Sequence, residues 1–173
     1  MITIEQDLCN PLSQDFYDKT IDSLPLHQLK CTCGRSACLI KYGSYMRTVK
    51  MGDQAFRLRV CRVKCSECGR THALLLSSIV PYSQIPLEVQ ASIIEHYENK
   101  KGFASILQSC LSIDENNIGS ILLRYRKHWQ QRLLCESIPL APPFRLAARC
   151  FQAFSRQFMQ IKTTPNLYFP RPT

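Results

Sequence analysis

The sequence is poor in several features that would quickly place it. Of its 173 residues only six are glycine, and they form no Walker-type or dinucleotide-binding pattern, which argues against a glycine-rich phosphate loop. Its four histidines (His27, His72, His96 and His128) are scattered, so no paired-histidine metal nuclease is read. No apolar run reaches the roughly eighteen residues that would predict a transmembrane helix. The opening residues, MITIEQDLCNPLSQDF, lack the positive start and apolar stretch of a secretory signal. Acidic groups are short as well: 13 Asp and Glu stand against 22 Lys and Arg, a formal net charge of +9.

What the sequence does have is ten cysteines, on a background of 45% hydrophobic and 20% charged residues. That balance excludes a chain disordered throughout, and the length predicts one domain or two small ones. With no export signal, the expected location is cytoplasmic, associated with the nucleoid. A disulfide framework is not expected there, because the cytosol keeps thiols reduced. The cysteines then read as metal ligands, small buried residues or a catalytic thiol.

Charge and cysteine cluster together. Residues 1–29 carry a net −4, residues 30–75 a net +8, residues 76–135 a net +1 and residues 136–173 a net +4. The basic stretch holds Cys31, Cys33, Cys38, Cys61, Cys65 and Cys68. So short a segment buries little apolar surface, and a metal is the simplest way to hold it together. CTCGRSAC and CSECG each contain a Cys-Gly pair, the glycine easing a backbone that folds back so that two thiolates reach one ion. Cys33, Cys65 and Cys68 read as zinc ligands. The fourth is Cys31 or Cys38, with Cys31 keeping the first turn more compact; His72 is a weaker candidate. The remaining cysteines (Cys9, Cys61, Cys110, Cys135 and Cys150) read as small apolar residues. Four thiolates around one zinc would lower the working charge from +9 to about +7.

Between the two turns the sequence alternates as strands do. Leu39–Met46, with Gly43 inside, reads as a strand with a bulge or bend. Phe56, Leu58 and Val60 share one face of a second strand and Arg57, Arg59 and Cys61 the other, and Thr71–Leu76 reads as a third. The period then changes to 3.6. A helix is predicted from Pro86 to Asn99, broken at Lys100–Gly102. A short helix follows from Phe103 to Cys110. A third opens on a Ser112–Glu115 capping box and runs to about Cys135. Ile118, Leu122, Tyr125, Trp129 and Leu133 would face inward. Asn116, Asn117, Ser120, Arg124, Lys127 and Gln131 would face a DNA groove. A fourth helix is predicted between Pro143 and Ile161, with Arg145, Arg149 and Arg156 as a basic edge.

The expected fold is thus α+β: a small β zinc ribbon, a three-helix helix-turn-helix unit and a C-terminal helix. Its divisions are an acidic segment (1–29), the ribbon (30–80), the helix-turn-helix (81–135), a basic helix (136–162) and a tail (163–173).

The stretches CTCGRSACLIKYGSYMR and RVKCSECGRTHALLLSSIVPYSQIPLE resemble a bacterial domain family that joins a zinc ribbon to a helix-turn-helix. That family is similar to the N-terminal DNA-binding part of insertion-sequence transposases. The likeness spans about residues 28–130 and is strongest over Cys65–Pro86. It implies double-stranded DNA as partner and a mobile-element origin, with a transposase or a second copy of the chain as a further partner. A transposase catalytic domain would need three metal-binding carboxylates. Those after the ribbon (Glu88, Glu95, Glu98, Asp114, Glu115 and Glu136) fall on predicted helices or caps, and too few residues follow for such a domain. The expectation is therefore a non-catalytic DNA-binding protein with structural zinc. Arg57 and Arg59 would add sequence-independent affinity. The alternatives are a protein-interaction adaptor or a nucleic-acid enzyme completed by a partner.

Overall fold

A computed structural model describes residues 1–5, 12–51, 54–109 and 113–161. Among these residues the chain is mixed α+β, with one four-stranded sheet and six helices. Strands β1 (Ile2–Ile4), β2 (Leu39–Met51), β3 (Gln54–Cys65) and β4 (Thr71–Leu76) lie in the order β1-β4-β3-β2.

Strands β2 and β3 form a long antiparallel hairpin, in register from Leu39 opposite Cys65 to Met51 opposite Gln54. The expected alternation is present: Leu58 and Val60 are fully buried, whereas Arg57 and Arg59 are exposed. Of the bulge or bend expected around Gly43, the strand has a bulge, marked by a register shift between Lys41 and Gly43. β2 continues past the expected end at Met46, because Val49 carries the buried face on to a pairing with Phe56.

Residues 1–29 supply more than negative charge. β1 pairs in parallel with β4, Ile2 opposite Leu74 and Ile4 opposite Leu76. Helix α1 (Gln14–Asp22) starts on Ser13, whose hydroxyl accepts the Phe16 N–H at 3.1 Å. β4 pairs with β3 only at Arg62–Lys64, so the preceding part of β3 has an open edge. Side chains of α1 close it. Gln14 Oε1 accepts the Arg59 N–H at 2.7 Å, and the Tyr17 hydroxyl accepts the Cys61 N–H at 2.8 Å. Tyr17 also donates to the Leu74 carbonyl at 2.8 Å, which ties β3 to β4 through a fully buried ring. An open sheet edge otherwise invites pairing with another chain.

The other five helices are α2 (Leu87–Glu98), α3 (Phe103–Ser109), α4 (Glu115–His128), α5 (Gln130–Cys135) and α6 (Pro143–Phe154). They share a core that includes Ile93, Ile106, Ile118, Trp129, Cys150 and Phe158. All five residues expected to face inward from the third helix (Ile118, Leu122, Tyr125, Trp129 and Leu133) are buried.

Three helix boundaries differ from expectation. α4 is capped by Asp114, not Ser112: the Asp114 carboxylate accepts the Asn117 N–H at 2.9 Å, where a negative group also suits the helix dipole. The expected single helix to Cys135 is interrupted at Trp129, whose φ is −125°. Its fully buried indole packs edge-to-face with Phe154 and Phe158, at centroid distances of 5.8 and 5.2 Å. α6 stops at Phe154, before the expected Ile161, where Ser155 turns the chain with φ 51°. Residues 110–112, where the second and third expected helices meet, and the tail lie outside the described residues, as does Cys9.

Two side chains lock the sheet to the helical layer. Gln157, just after α6, accepts from the Thr3 hydroxyl at 3.1 Å and donates to the carbonyls of Ser77 and Ile79 at 2.9 and 3.0 Å. The Arg47 guanidinium on β2 donates to the Val80 and Ser83 carbonyls, both at 2.6 Å. No helix among the described residues is long and apolar enough to cross a membrane.

Tyr17→Phe should lower the unfolding free energy by about 1–3 kcal/mol, since it leaves a buried carbonyl and an amide without their shared partner. Urea denaturation of the two proteins measures this. An unchanged midpoint would mean that the hydroxyl does not close the sheet edge.

Candidate metal centre and the basic surface beside it

Two turns bring four cysteines together at one end of the sheet. In the first, the Cys31 N–H donates to the Arg35 carbonyl at 2.9 Å and the Gly34 N–H to the Cys31 carbonyl at 2.9 Å. In the second, the Cys65 N–H donates to Arg70 at 2.9 Å and the Gly69 N–H to Cys65 at 3.0 Å. The turns are thus built alike despite unequal Cys spacing. Both need a left-handed residue directly after the second cysteine, and Gly34 (φ 89°) and Gly69 (φ 70°) supply it.

The sulfurs of Cys31, Cys33, Cys65 and Cys68 all lie within 4.8 Å of one another. Cys31 and Cys68 are 3.6 Å apart, and Cys33 and Cys65 are 3.9 Å apart. A disulfide would need about 2.05 Å; all four are free thiols. A tetrahedron with metal–sulfur bonds of about 2.3 Å has edges of about 3.8 Å, so the separations fit one thiophilic ion. Cys38 stands outside this group: it is buried, and its thiol donates to the Arg35 carbonyl at 3.3 Å. Burial pushes the Cys38 thiol up to about 11. The Cys65 thiol is pulled down to about 6, chiefly by the Cys68 N–H that donates to it at 3.4 Å.

His72 is buried behind the cluster, its Nε2 3.3 Å from Cys31 Sγ and its Nδ1 3.0 Å from the Met1 amino group. Burial, then the Met1 ammonium and Arg70, push His72 down to about 4, so the ring is neutral at pH 7. Burial lowers the pKa of the Met1 amino group; in its ammonium form it can only donate, which would make Nδ1 the acceptor and leave the ring proton on Nε2, on the side of Cys31. A metal-bound thiolate is steadied by such a donor. Of the other cysteines, Cys150 is buried, Cys61 is half-buried and Cys135 is exposed.

The basic residues fall into two groups. Arg57 and Arg59 project from the exposed face of β3, and Arg59 also reaches Asp18 on α1 at 3.4 Å. Lys41 pairs with Asp22 at 2.6 Å, so acids of α1 neutralise part of the hairpin's charge. On α4, Asn116, Ser120 and Lys127 are exposed, while Asn117 is half-buried and its side-chain amide donates to Asp114. Arg124 is half-buried and lines a cleft of about 240 Å³ with Pro81, Tyr82, Met159 and Ile161. Gln131 lies past the break on α5 and donates to Cys135 Sγ at 3.5 Å, so it does not continue the α4 row. The far end of β2 meets the start of α4, where Lys50 Nζ lies 3.8 Å from Asp114. Lys50 pairs with Ala55, two residues from Arg57 on the same hairpin.

Residues 30–111 match the family described as Domain of unknown function (DUF6431). The match takes in both cysteine turns, the hairpin, α2 and α3, and ends before α4. No curated protein and no solved structure matches the chain.

Sequence reasoning missed the roles of Gln14 and Tyr17. The signal was there in Ser13 as a helix cap and in the i, i+4 pair Tyr17 and Ile21, both buried. That they close a sheet edge depends on β4 being short, which no local pattern reports.

Cys31→Ser should abolish tight binding of one thiophilic ion per chain, whereas Cys38→Ser should keep it. His72→Phe should weaken binding by roughly 10–100-fold without changing stoichiometry. Metal analysis and competition with a chromogenic chelator measure both. Loss of the ion in Cys38→Ser with retention in Cys31→Ser would reverse the ligand set.

Proposed function

We propose that the chain is a non-catalytic, zinc-containing DNA-binding protein, related to the DNA-binding part of insertion-sequence transposases. Zinc suits four thiolates in a closed tetrahedral set with no open position, which is the form of a structural site. In this reading the sheet with its two cysteine turns is a zinc ribbon, and α2, α3 and α4 make the helix-turn-helix. α4 reads the major groove, with Asn116, Asn117 and Ser120 nearest the base edges. The side chains of Arg57, Arg59 and Lys127 neutralise phosphates. Arg124, half-buried at its cleft, sets the position of the helix as much as it reads bases.

The observation that carries this reading is the contact of Lys50 with Asp114, at 3.8 Å. It joins the far end of the basic hairpin to the N-terminus of α4. One duplex can then touch Arg57 and the exposed start of α4 together. A solvated charge run needs no such adjacency.

Affinity for duplex DNA should fall steeply with salt, with a log–log slope of about −0.9 per phosphate neutralised. Arg57→Ala should weaken binding to all sequences alike and flatten the slope by about one phosphate. Asn116→Ala should instead lower the ratio of selected-site to random-site affinity. Titrations by fluorescence anisotropy, on fragments selected from genomic DNA and on random duplex, measure these quantities. Salt-independent binding, or no binding by metal-loaded protein, would overturn the proposal.

A further inference from the structure

We propose that the face of the β2–β3 hairpin carrying Tyr42 binds an unpaired strand of DNA, with the Tyr42 ring as its base-stacking platform. The inference rests on the DNA-binding reading and names a second form of the same ligand.

Residues opposite one another on an antiparallel ladder share a face. Ile40 lies opposite Lys64, and the bulge after Lys41 sets Tyr42 and Gly43 against Arg62. Lys64 Nζ sits 5.2 Å from the centre of the Tyr42 ring. Ile40, Tyr42, Arg62 and Lys64 therefore form one strip beside the cysteine cluster. Farther along this face Val49, Leu58 and Val60 are buried, so the strip is its open end. There Ile40 and Tyr42 are each 56% exposed. Two large apolar side chains on a strand are left in solvent while the same face is buried a few residues on.

Charge points to the occupant. Lys64 and Arg62 flank the ring, and Arg62 is held in place by donating to the Thr71 hydroxyl at 2.8 Å. The nearby described acids are engaged elsewhere: Glu67 with Arg35, Asp18 with Arg59 and Asp22 with Lys41. The strip is thus cationic and aromatic, which fits an anionic chain with flat apolar faces. In a duplex those faces are covered by neighbouring pairs. An unpaired strand offers a base to Tyr42 and the flanking phosphates to Lys64 and Arg62. The Lys41–Gly43 bulge gives the strip its shape, because it sets Tyr42 and Gly43 together against the single residue Arg62.

The test is anisotropy titration of the full, metal-loaded chain with a twelve-residue oligothymidylate and with random duplex DNA. Tyr42→Ala should bind the oligothymidylate about tenfold more weakly, while its duplex affinity stays within twofold. Tyr42→Phe, which keeps the stacking ring, should bind as the parent does. Lys64→Gln should flatten the single-strand salt dependence by about one phosphate. Metal content and circular dichroism of each variant establish that it is folded. Unchanged oligothymidylate affinity in folded Tyr42→Ala would overturn the proposal, as would equal losses on single strand and duplex. If the parent chain binds duplex but not oligothymidylate, this inference fails and the DNA-binding reading stands. If it binds neither, both fail. Preference of the strip for an acidic peptide over oligothymidylate would also overturn it.

Discussion

Four thiols that must share a space under 5 Å across are the constraint on which the rest of the sheet depends. Cys31 and Cys33 lie on the approach to β2. Cys65 closes β3, and Cys68 sits between β3 and β4. Fixing these four points fixes where the hairpin begins and where β4 enters the sheet. The pairing of Leu39 with Cys65 puts the first rung of the hairpin ladder at the cluster itself. Four thiolates in so small a space repel one another, so the arrangement calls for protons or a cation. A divalent ion would settle the repulsion and close the chain segment between Cys33 and Cys65 at once.

The sheet alone would still be incomplete. β4 covers only part of β3, and the N-terminal segment finishes the job: β1 pairs with β4, and the side chains of α1 take the stretch of β3 that β4 leaves open. The same helix places Asp18 and Asp22 against Arg59 and Lys41. The acidic start and the basic hairpin are therefore partners in one layer. Among the described residues, the hairpin charge left outside the ion pairs is directional: Arg57 toward the tip, and Lys64 with Arg62 around Tyr42. Gln157 and Arg47 then couple this layer to the helices through backbone carbonyls of the Ser77–Ser83 connection. Such buried donors make the connection a fixed joint, since losing either would strand carbonyls away from water.

Local patterns in the sequence were informative wherever a structural rule acts over a few residues. The Cys-Gly pairs marked both turns, because a left-handed residue is needed there and only glycine takes it without strain. The alternation around Leu58 and the spacing of Ile118, Leu122 and Tyr125 marked buried faces correctly. Errors arose where a distant partner decided the outcome. One error was local instead: the capping-box pattern points to Ser112, whereas the Asp114 carboxylate takes the Asn117 N–H three residues on. The break at Trp129 goes with its packing against Phe154 and Phe158, more than twenty residues farther along the chain. β1 is three residues long and pairs with a strand seventy residues on, so no window around it carries the information. At the candidate site, three of the four clustered cysteines (Cys33, Cys65 and Cys68) were legible from spacing. Distinguishing Cys31 from Cys38 needed the fold, in which Cys31 is one of the four sulfurs within 4.8 Å of one another while the Cys38 thiol donates to the Arg35 carbonyl.

The proposed DNA-binding function places the metal in a supporting role: it holds the hairpin so that the hairpin's far end can meet α4. The most direct test of that account is zinc K-edge X-ray absorption on the purified, metal-loaded chain. Four sulfur scatterers at about 2.3 Å, with no nitrogen or oxygen in the shell, are expected. A shell containing nitrogen or oxygen, or fewer than four sulfurs, would contradict the four-thiolate centre from which the rest of the architecture is argued.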